Sequence, residues 1–270
     1  MKSLALSLAL VSLANTAAIG AVAYTTYGAT VSQNFDTLAS TGTNVAWAND
    51  TTLTGWHLFR QPAAAPVAIT NIDSGTGSSN TGKFYSFGPA SNSDRALGGV
   101  ASGGSYFGSP TAGNVAGWIA VSLTNNTAIT LDTVLIGFDG EQWRDGGAAT
   151  PAAQTMVLQY GVGATFGAVT TWSTPGGAFN FSSPVFTNTT TGAAVNGNGA
   201  GLTTGLGGTL TGVAWNAGDT LWIRWVDNND AGNDHGLAID NFKFAAVPEP
   251  STSLLGLLAA AYIPLRRRRK

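Results

Sequence analysis

Two short segments concentrate the side chains of this 270-residue chain that do chemistry. The first is Gly140-Glu141-Gln142-Trp143-Arg144, at the end of a long apolar-alternating run that closes with Phe138-Asp139. The second runs from Trp225 to Asp240 and holds Asp227, Asp230, Asp234, His235 and Asp240. Charged residues make up 10% of the sequence, so these clusters stand out against a nearly neutral background. They read in three ways. Arginine forks bind carboxylates and partly buried charges need partners, so Glu141, Arg144, Asp234 and His235 form a network tying two loops at one edge of the fold. A loop of Asp, Asn and Gly also offers the carboxylate, amide and carbonyl oxygens that calcium takes, which makes Asp227, Asp230 and Asp234 candidate ligands of a structural ion. This loop is no EF-hand, because the fifth and twelfth positions counted from Asp227 are Ala231 and Ala238. Third, Glu141, Asp234 and His235 supply the groups of a hydrolase, the alternative function. Against catalysis, the chain has no G-x-S-x-G elbow, H-E-x-x-H, Walker loop or dinucleotide fingerprint, and Glu141 is the only Glu in its body.

Trp143 suits a binding platform. Gly140 and Gly146-Gly147 leave open backbone around it, and indole faces stack on sugar rings while neighbouring polar groups bond hydroxyls. Glu141, Trp143, Arg144 and His235 are therefore the candidate ligand-binding residues. Trp56, Trp172 and Trp215 also fall near strand ends, whereas Trp222 reads as core.

These residues must be positioned by strands. Gly (36 residues), Thr, Ser and Asn abound while Lys, Glu and Gln are scarce, which excludes a helix-rich fold. Eight Trp, twelve Phe and six Tyr exclude disorder, and the absence of Cys excludes disulfides, thiol nucleophiles and cysteine metal sites. Strands are predicted at 31–35, 55–60, 68–72, 84–87, 118–123, 129–138, 155–160, 185–187, 209–213, 220–226 and 237–244. Residues 192–208 read as a long surface loop. Alternation in Leu221-Trp222-Ile223-Arg224-Trp225-Val226 gives one apolar and one mixed face. Many strands with no crossover helix predict an all-β, antiparallel, jelly-roll-like β-sandwich in a single domain, residues 24–246.

Both ends read as addresses. Residues 1–23 form a signal peptide: Lys2, the apolar run Leu4 to Ala14, and the cleavage pattern Ala21-Val22-Ala23. At the other end Val247-Pro248-Glu249-Pro250-Ser251-Thr252 precedes an apolar run, Leu254 to Leu265, and then Arg266-Arg267-Arg268-Arg269-Lys270. Twelve helical residues reach ~18 Å against a hydrocarbon core of ~30 Å, too short for a permanent anchor and enough for transient inner-membrane insertion. This tail, residues 247–270, resembles the PEP-CTERM sorting signal. The resemblance implies that Pro248, Glu249, Pro250 and the arginines Arg266, Arg267, Arg268 and Arg269 direct the chain to an exosortase, which removes the tail. Pro264 departs from the uninterrupted helix of that pattern. Without both addresses the body holds six basic and thirteen acidic residues, a net charge of about −7. That balance excludes nucleic acid as a partner.

Tyr85-Ser86-Phe87-Gly88, Asp94-Arg95-Ala96-Leu97-Gly98 and the two charged segments together resemble a β-sandwich region of secreted bacterial proteins, one without a defined function. Gly236-Leu237-Ala238-Ile239-Asp240-Asn241-Phe242 also looks like the last strand of jelly-roll carbohydrate-binding modules. That resemblance implies a structural calcium held by Asp240 and by Asp36 of Asn34-Phe35-Asp36. The expectation is an exported, noncatalytic protein of the cell surface or exopolysaccharide matrix that binds polysaccharide weakly. A purely structural envelope protein is the competing class.

Overall fold

The computed structural model describes residues 21–61 and 65–247. The first twenty residues of the leader and the tail from Pro248, with its sorting residues, lie outside the described residues. The described residues form sixteen strands and three single-turn 3-10 helices. In chain order the strands begin with β1 (Val22–Tyr24), β2 (Val31–Gln33), β3 (Val45–Ala46), β4 (Trp56–Arg60), β5 (Val67–Ala68), β6 (Asn71–Gly75), β7 (Lys83–Phe87) and β8 (Ala96–Val100). They continue with β9 (Val115–Asn125), β10 (Thr133–Asp145), β11 (Thr155–Val162), β12 (Phe181–Ser182), β13 (Ala193–Ala194), β14 (Leu202–Leu210), β15 (Thr220–Asn228) and β16 (Gly236–Val247).

A seven-stranded sheet has the order β12-β11-β15-β9-β4-β5, with β1 added to β9. A nine-stranded sheet has the order β13-β10-β16-β8-β7-β6-β3, with β14 added to β10 and β2 to β16. Pairing is antiparallel except for β1 with β9 and β6 with β7. The chain is therefore an all-β sandwich, as its composition requires. The alternation in β15 holds: Leu221, Ile223 and Trp225 turn inward and are fully buried, while Trp222 and Arg224 turn outward. Trp225 stacks on Trp56 (ring centroids 6.0 Å apart) and meets Phe138 and Phe242 edge to face across the interface (5.3 and 5.8 Å). Each aromatic of this size buries 150–250 Å² and ties the two layers together.

Several boundaries differ from the sequence reading. β10 runs on through Asp145, so Glu141, Trp143 and Arg144 sit in a central strand instead of a loop. Pairing with β16 on one side and β13 and β14 on the other extends it beyond the Gly140 break. The stretch 192–208 read as a surface loop contains most of β14, whose glycines lower its intrinsic strand preference. Gly207, at φ +114°, lies against the Ile136 carbonyl, where any Cβ would overlap it. Residues 185–187 form no strand, and β8, not expected as one, is fully buried between β7 and β16. At the start, Val22 and Ala23, the last residues of the expected leader, form β1 with Tyr24 and pair with β9. Tyr24 anchors that strand: its hydroxyl donates to the Ala29 carbonyl (2.9 Å) and accepts the Ala246 amide (2.8 Å).

Candidate functional site

The outer face of the nine-stranded sheet carries the first predicted cluster. Glu141 and Asp240 stand on adjacent strands, in the register Glu141 to Ala238 and Asp139 to Asp240, and each is 3% exposed. Trp143 lies in the same layer with Tyr85, Phe87 and Ala238. It is 3% exposed, which corrects its reading as an open platform. Its ring runs parallel to Phe87 at 6.2 Å, its Nε1 donates to Glu141 Oε2 (2.8 Å), and the Gly197 backbone covers it so closely that a Cβ there would overlap the indole. The flanking glycines bring backbone onto the ring instead of exposing it.

Burial dominates the electrostatics of this layer. It pushes Glu141 up to about 7; the Trp143 bond opposes the shift, and the charges of Asp94 and Asp139 add to it. Asp240 is pushed up to about 8, again first by burial, with Glu141, Asp94 and Asp36 contributing against a bond from Asn241. One Asp240 oxygen, Oδ1, is buried without a partner. Arg95, 1% exposed, donates from Nε to Ser86 Oγ (2.9 Å) and from Nη2 to the Ser86 carbonyl, and Asp36 accepts its backbone N–H (3.1 Å).

Of the remaining predicted residues, Arg144, Asp230, Asp234 and His235 divide between two clefts. Arg144 and Asp234 line a polar cleft of about 450 Å³ with Asn229 and Asn233. Arg144 donates from Nη1 to the carbonyls of Gly77 and Ser78 (3.1 and 3.2 Å), so its fork meets backbone instead of the expected carboxylates. Asp234, pushed up to about 7 by burial, accepts the Asp230 amide (2.7 Å). Asp227 lies fully buried beside this loop with Oδ2 unpartnered, and burial with the charges of Asp234 and Asp230 raises its pKa well above the usual range. His235 and Asp145 line the second cleft, about 240 Å³. The predicted four-residue network is thus split. Glu141 contacts Trp143, Arg144 contacts backbone, Asp234 contacts Asp230, and His235 meets Gln142 of the first segment at 3.4 Å besides Ser183 and Asp145, which the sequence did not single out.

Those partners form a Ser–His–Asp arrangement. His235 Nδ1 is 2.9 Å from Ser183 Oγ, and its Nε2 is 3.4 Å from Asp145 Oδ1. Asp145 is already occupied, accepting from Gly147 N (2.9 Å), Thr187 N (3.0 Å) and Thr187 Oγ1 (2.5 Å). Ser183 is 2% exposed, accepts the Gln154 amide (3.0 Å) and is absent from the cleft walls. A nucleophilic serine needs room for a carbonyl carbon beside it. These bonds instead join the loops at 145–148, 183–188 and 235. Glu141, Asp234 and His235, the alternative hydrolase set, share no cavity wall. Nor, among the described residues, do three or more of His, Asp and Glu stand close enough to hold a metal. Asp36 and Asp240 lie in one region and Asp227, Asp230 and Asp234 in another.

A third site, on the outer face of the seven-stranded sheet, was not foreseen. The register aligns His57, Ala120, Arg224 and Gln159 in one row across β4, β9, β15 and β11, and Phe59, Trp118, Val226 and Val157 in the next. Phe166, from the loop after β11, folds over them. It stacks on Phe59 (4.3 Å) and meets Trp222, Trp118 and Trp172 at 5.7, 5.4 and 5.3 Å. Trp222, read as core, is buried here by that loop and held by a bond from Nε1 to the Gly163 carbonyl (3.0 Å). Phe59, His57 and Trp172 stay half-exposed. A mainly apolar cleft of about 320 Å³ opens beside Phe166, walled by His57, Phe59, Thr165, Thr220 and Trp222. Burial lowers His57 to about 4, so the ring is neutral at physiological pH. The signal for this face was present in the i, i+2 spacing of Trp222 and Arg224. The covering loop has no comparable pattern.

No family model matches the chain, and no curated protein is significantly similar to it. Among solved structures it resembles an arabinose-bound MgGH51 α-L-arabinofuranosidase, with 12% identity over 84% of this chain and 29% of that one, at a TM-score of 0.29. It also resembles the Arthrobacter globiformis T6 isomalto-dextranase complexed with panose, with 14% identity over 83% of this chain and 33% of that one, at a TM-score of 0.28. The chain spans about a third of the length of either, and likeness at this level carries no inference about activity.

Proposed function

We propose that this is an exported, exosortase-sorted, noncatalytic protein of the cell surface or exopolysaccharide matrix, which binds polysaccharide weakly on the outer face of its seven-stranded sheet. The aromatic cleft formed by His57, Phe59, Phe166 and Trp222, with Trp172 alongside, is the observation that carries the binding. Sugar recognition needs ring faces to cover the apolar side of a pyranose and polar groups at its rim. The larger polar cleft has no aromatic residue in its walls, and Trp143 is covered. The half-exposed rings are part of the sheet and its covering loop, so little side-chain freedom is lost when a ligand lands.

Affinity electrophoresis of the purified protein in gels containing the host's own polysaccharide tests the binding. Phe59→Ala and Trp172→Ala are each expected to weaken retention at least fivefold while leaving the melting temperature within about 3 °C. Wild-type mobility unaffected by any polysaccharide would leave the purely structural envelope role. Sorting rests on the tail motif alone. Intact mass of the protein recovered from its host is expected to end near Pro248–Pro250, and a mass that retains Arg266 to Lys270 overturns exosortase handling. Among the described residues no helix is long and apolar enough to cross a membrane.

A further inference from the structure

Arg224 is a half-buried cation without an acid. Its Nε and Nη2 both donate to Gln159 Oε1 (2.8 and 2.6 Å), and Nη1 has no acceptor among the described residues. The guanidinium lies 3.7 Å from the centre of the Trp172 ring, with Trp118 and Phe166 at 5.2 and 5.5 Å. Burial lowers its pKa to about 10 with no neighbouring carboxylate to offset the cost, and it belongs to no ion pair among the described residues. Lys83, by contrast, pairs with Asp73 at 2.9 Å, Arg95 lies in the field of Asp94 and Glu141, and Arg144, also without an acid, has two backbone carbonyls on its Nη1. A second unmet donor shares the face, since Trp118 Nε1 is buried without an acceptor among the described residues.

The distribution of charge points the same way. Asp227, at the far end of β15, is the only acidic residue in the seven strands of this sheet. The nine-stranded sheet holds Asp73, Asp139, Glu141, Asp145 and Asp240. An anion repelled by the acidic side of the body meets weaker repulsion, and an unpaired guanidinium, on the aromatic side. Aromatic rings hold the arginine flat, which leaves the edge of its fork for a planar carboxylate.

We propose that the outer face of the seven-stranded sheet recognises an acidic polysaccharide, with one sugar ring packed in the cleft beside Phe166 and Trp222 and the carboxylate of a uronic acid unit bound by Arg224. The proposal rests on the polysaccharide reading above and adds the charge of the ligand. Phe166 touches both the cleft and the guanidinium, so the two subsites adjoin and an oligosaccharide spans them. Gln159 and Trp172 orient the fork before the ligand arrives.

The test compares polygalacturonate with its carboxyl-reduced form, the same backbone without charge, by affinity electrophoresis of the purified protein at low and at 0.5 M salt. Wild type is expected to bind polygalacturonate at least tenfold more tightly than the reduced polymer, with most of that difference lost at high salt. Arg224→Met is expected to remove the preference, leaving both polymers bound at the level of the reduced one. Arg224→Lys, which keeps the charge and loses the fork, is expected to fall between. Equal wild-type binding of the two polymers, or a preference that survives in a folded Arg224→Met, overturns the acidic ligand and leaves the polysaccharide reading standing. If Arg224→Met does not fold, the lysine variant and the wild-type comparison still decide. Binding of neither polymer, nor of the host's own polysaccharide, overturns both.

Discussion

Raising the pH from 6.5 to 8 is expected to lower the melting temperature by about 4–8 °C, the reverse of what paired surface carboxylates would produce. Burial raises the pKa of Glu141, Asp234 and Asp240 to about 7, 7 and 8, and that of Asp227 well above its ordinary value. Unfolded, each returns to about 4. The native state therefore holds protons that the unfolded state has already released. Where the native state binds more protons, stability falls as pH rises, and the loss continues until the folded pKa is passed. His57 and His235, lowered mainly by burial, oppose this, because they stay neutral in the fold while the unfolded chain charges them at acid pH. Their effect is largely spent above about 6.5, so the carboxyls decide the sign from there to pH 8. The net loss is on the order of 2 kcal/mol, and a domain of this size moves about 2–4 °C per kcal/mol. Calorimetry at several pH values checks it. Asp240→Asn should flatten the profile more than Glu141→Gln or Asp234→Asn, since its pKa is raised the furthest of these three. A profile flat or rising from 6.5 to 8 would mean that these groups are ionised in the fold and paired.

Trp225→Ala is expected to cost about 3–5 kcal/mol and roughly 10–15 °C of melting temperature. Trp225 is fully buried and joins the layers through Trp56, Phe138 and Phe242, so truncation opens a cavity where the two sheets meet and nothing nearby is mobile enough to fill it. Its Nε1 has no acceptor, so removing that buried donor returns a small part of the loss. Thermal unfolding of Trp225→Ala beside Trp172→Ala makes the contrast, since Trp172 packs on the outside and is half-exposed. A shift below about 3 °C for Trp225→Ala would show that the sheets are held together elsewhere.

The contrast between tryptophans also marks how far the sequence reaches. Period-two alternation in β15 determined by itself that Trp222 and Arg224 share one face and Trp225 the other, because successive side chains on a strand point to opposite sides. Scarce helix formers, frequent Gly, Thr and Asn, and β-branched runs likewise determined an all-β sandwich. The motif order at the C-terminus lies in the sequence itself, outside the described residues.

Tertiary structure decided the rest, because burial depends on what is laid over a face. Gly197 covers Trp143 from a segment that read as loop, and its pairing context exists only once β10 is flanked by β13 and β14. Clustered charges in sequence split in space, since neighbouring residues on a strand face opposite ways and bulges after Gly137 and Gln142 shift the phase of β10. His235 meets Ser183 and Asp145, which are 52 and 90 positions away, a juxtaposition that no local spacing encodes. The aromatic face around Arg224 arises in the same way. Four strands bring its rows into register, and Phe166 closes over them from a loop whose own sequence gives no sign of where it lands.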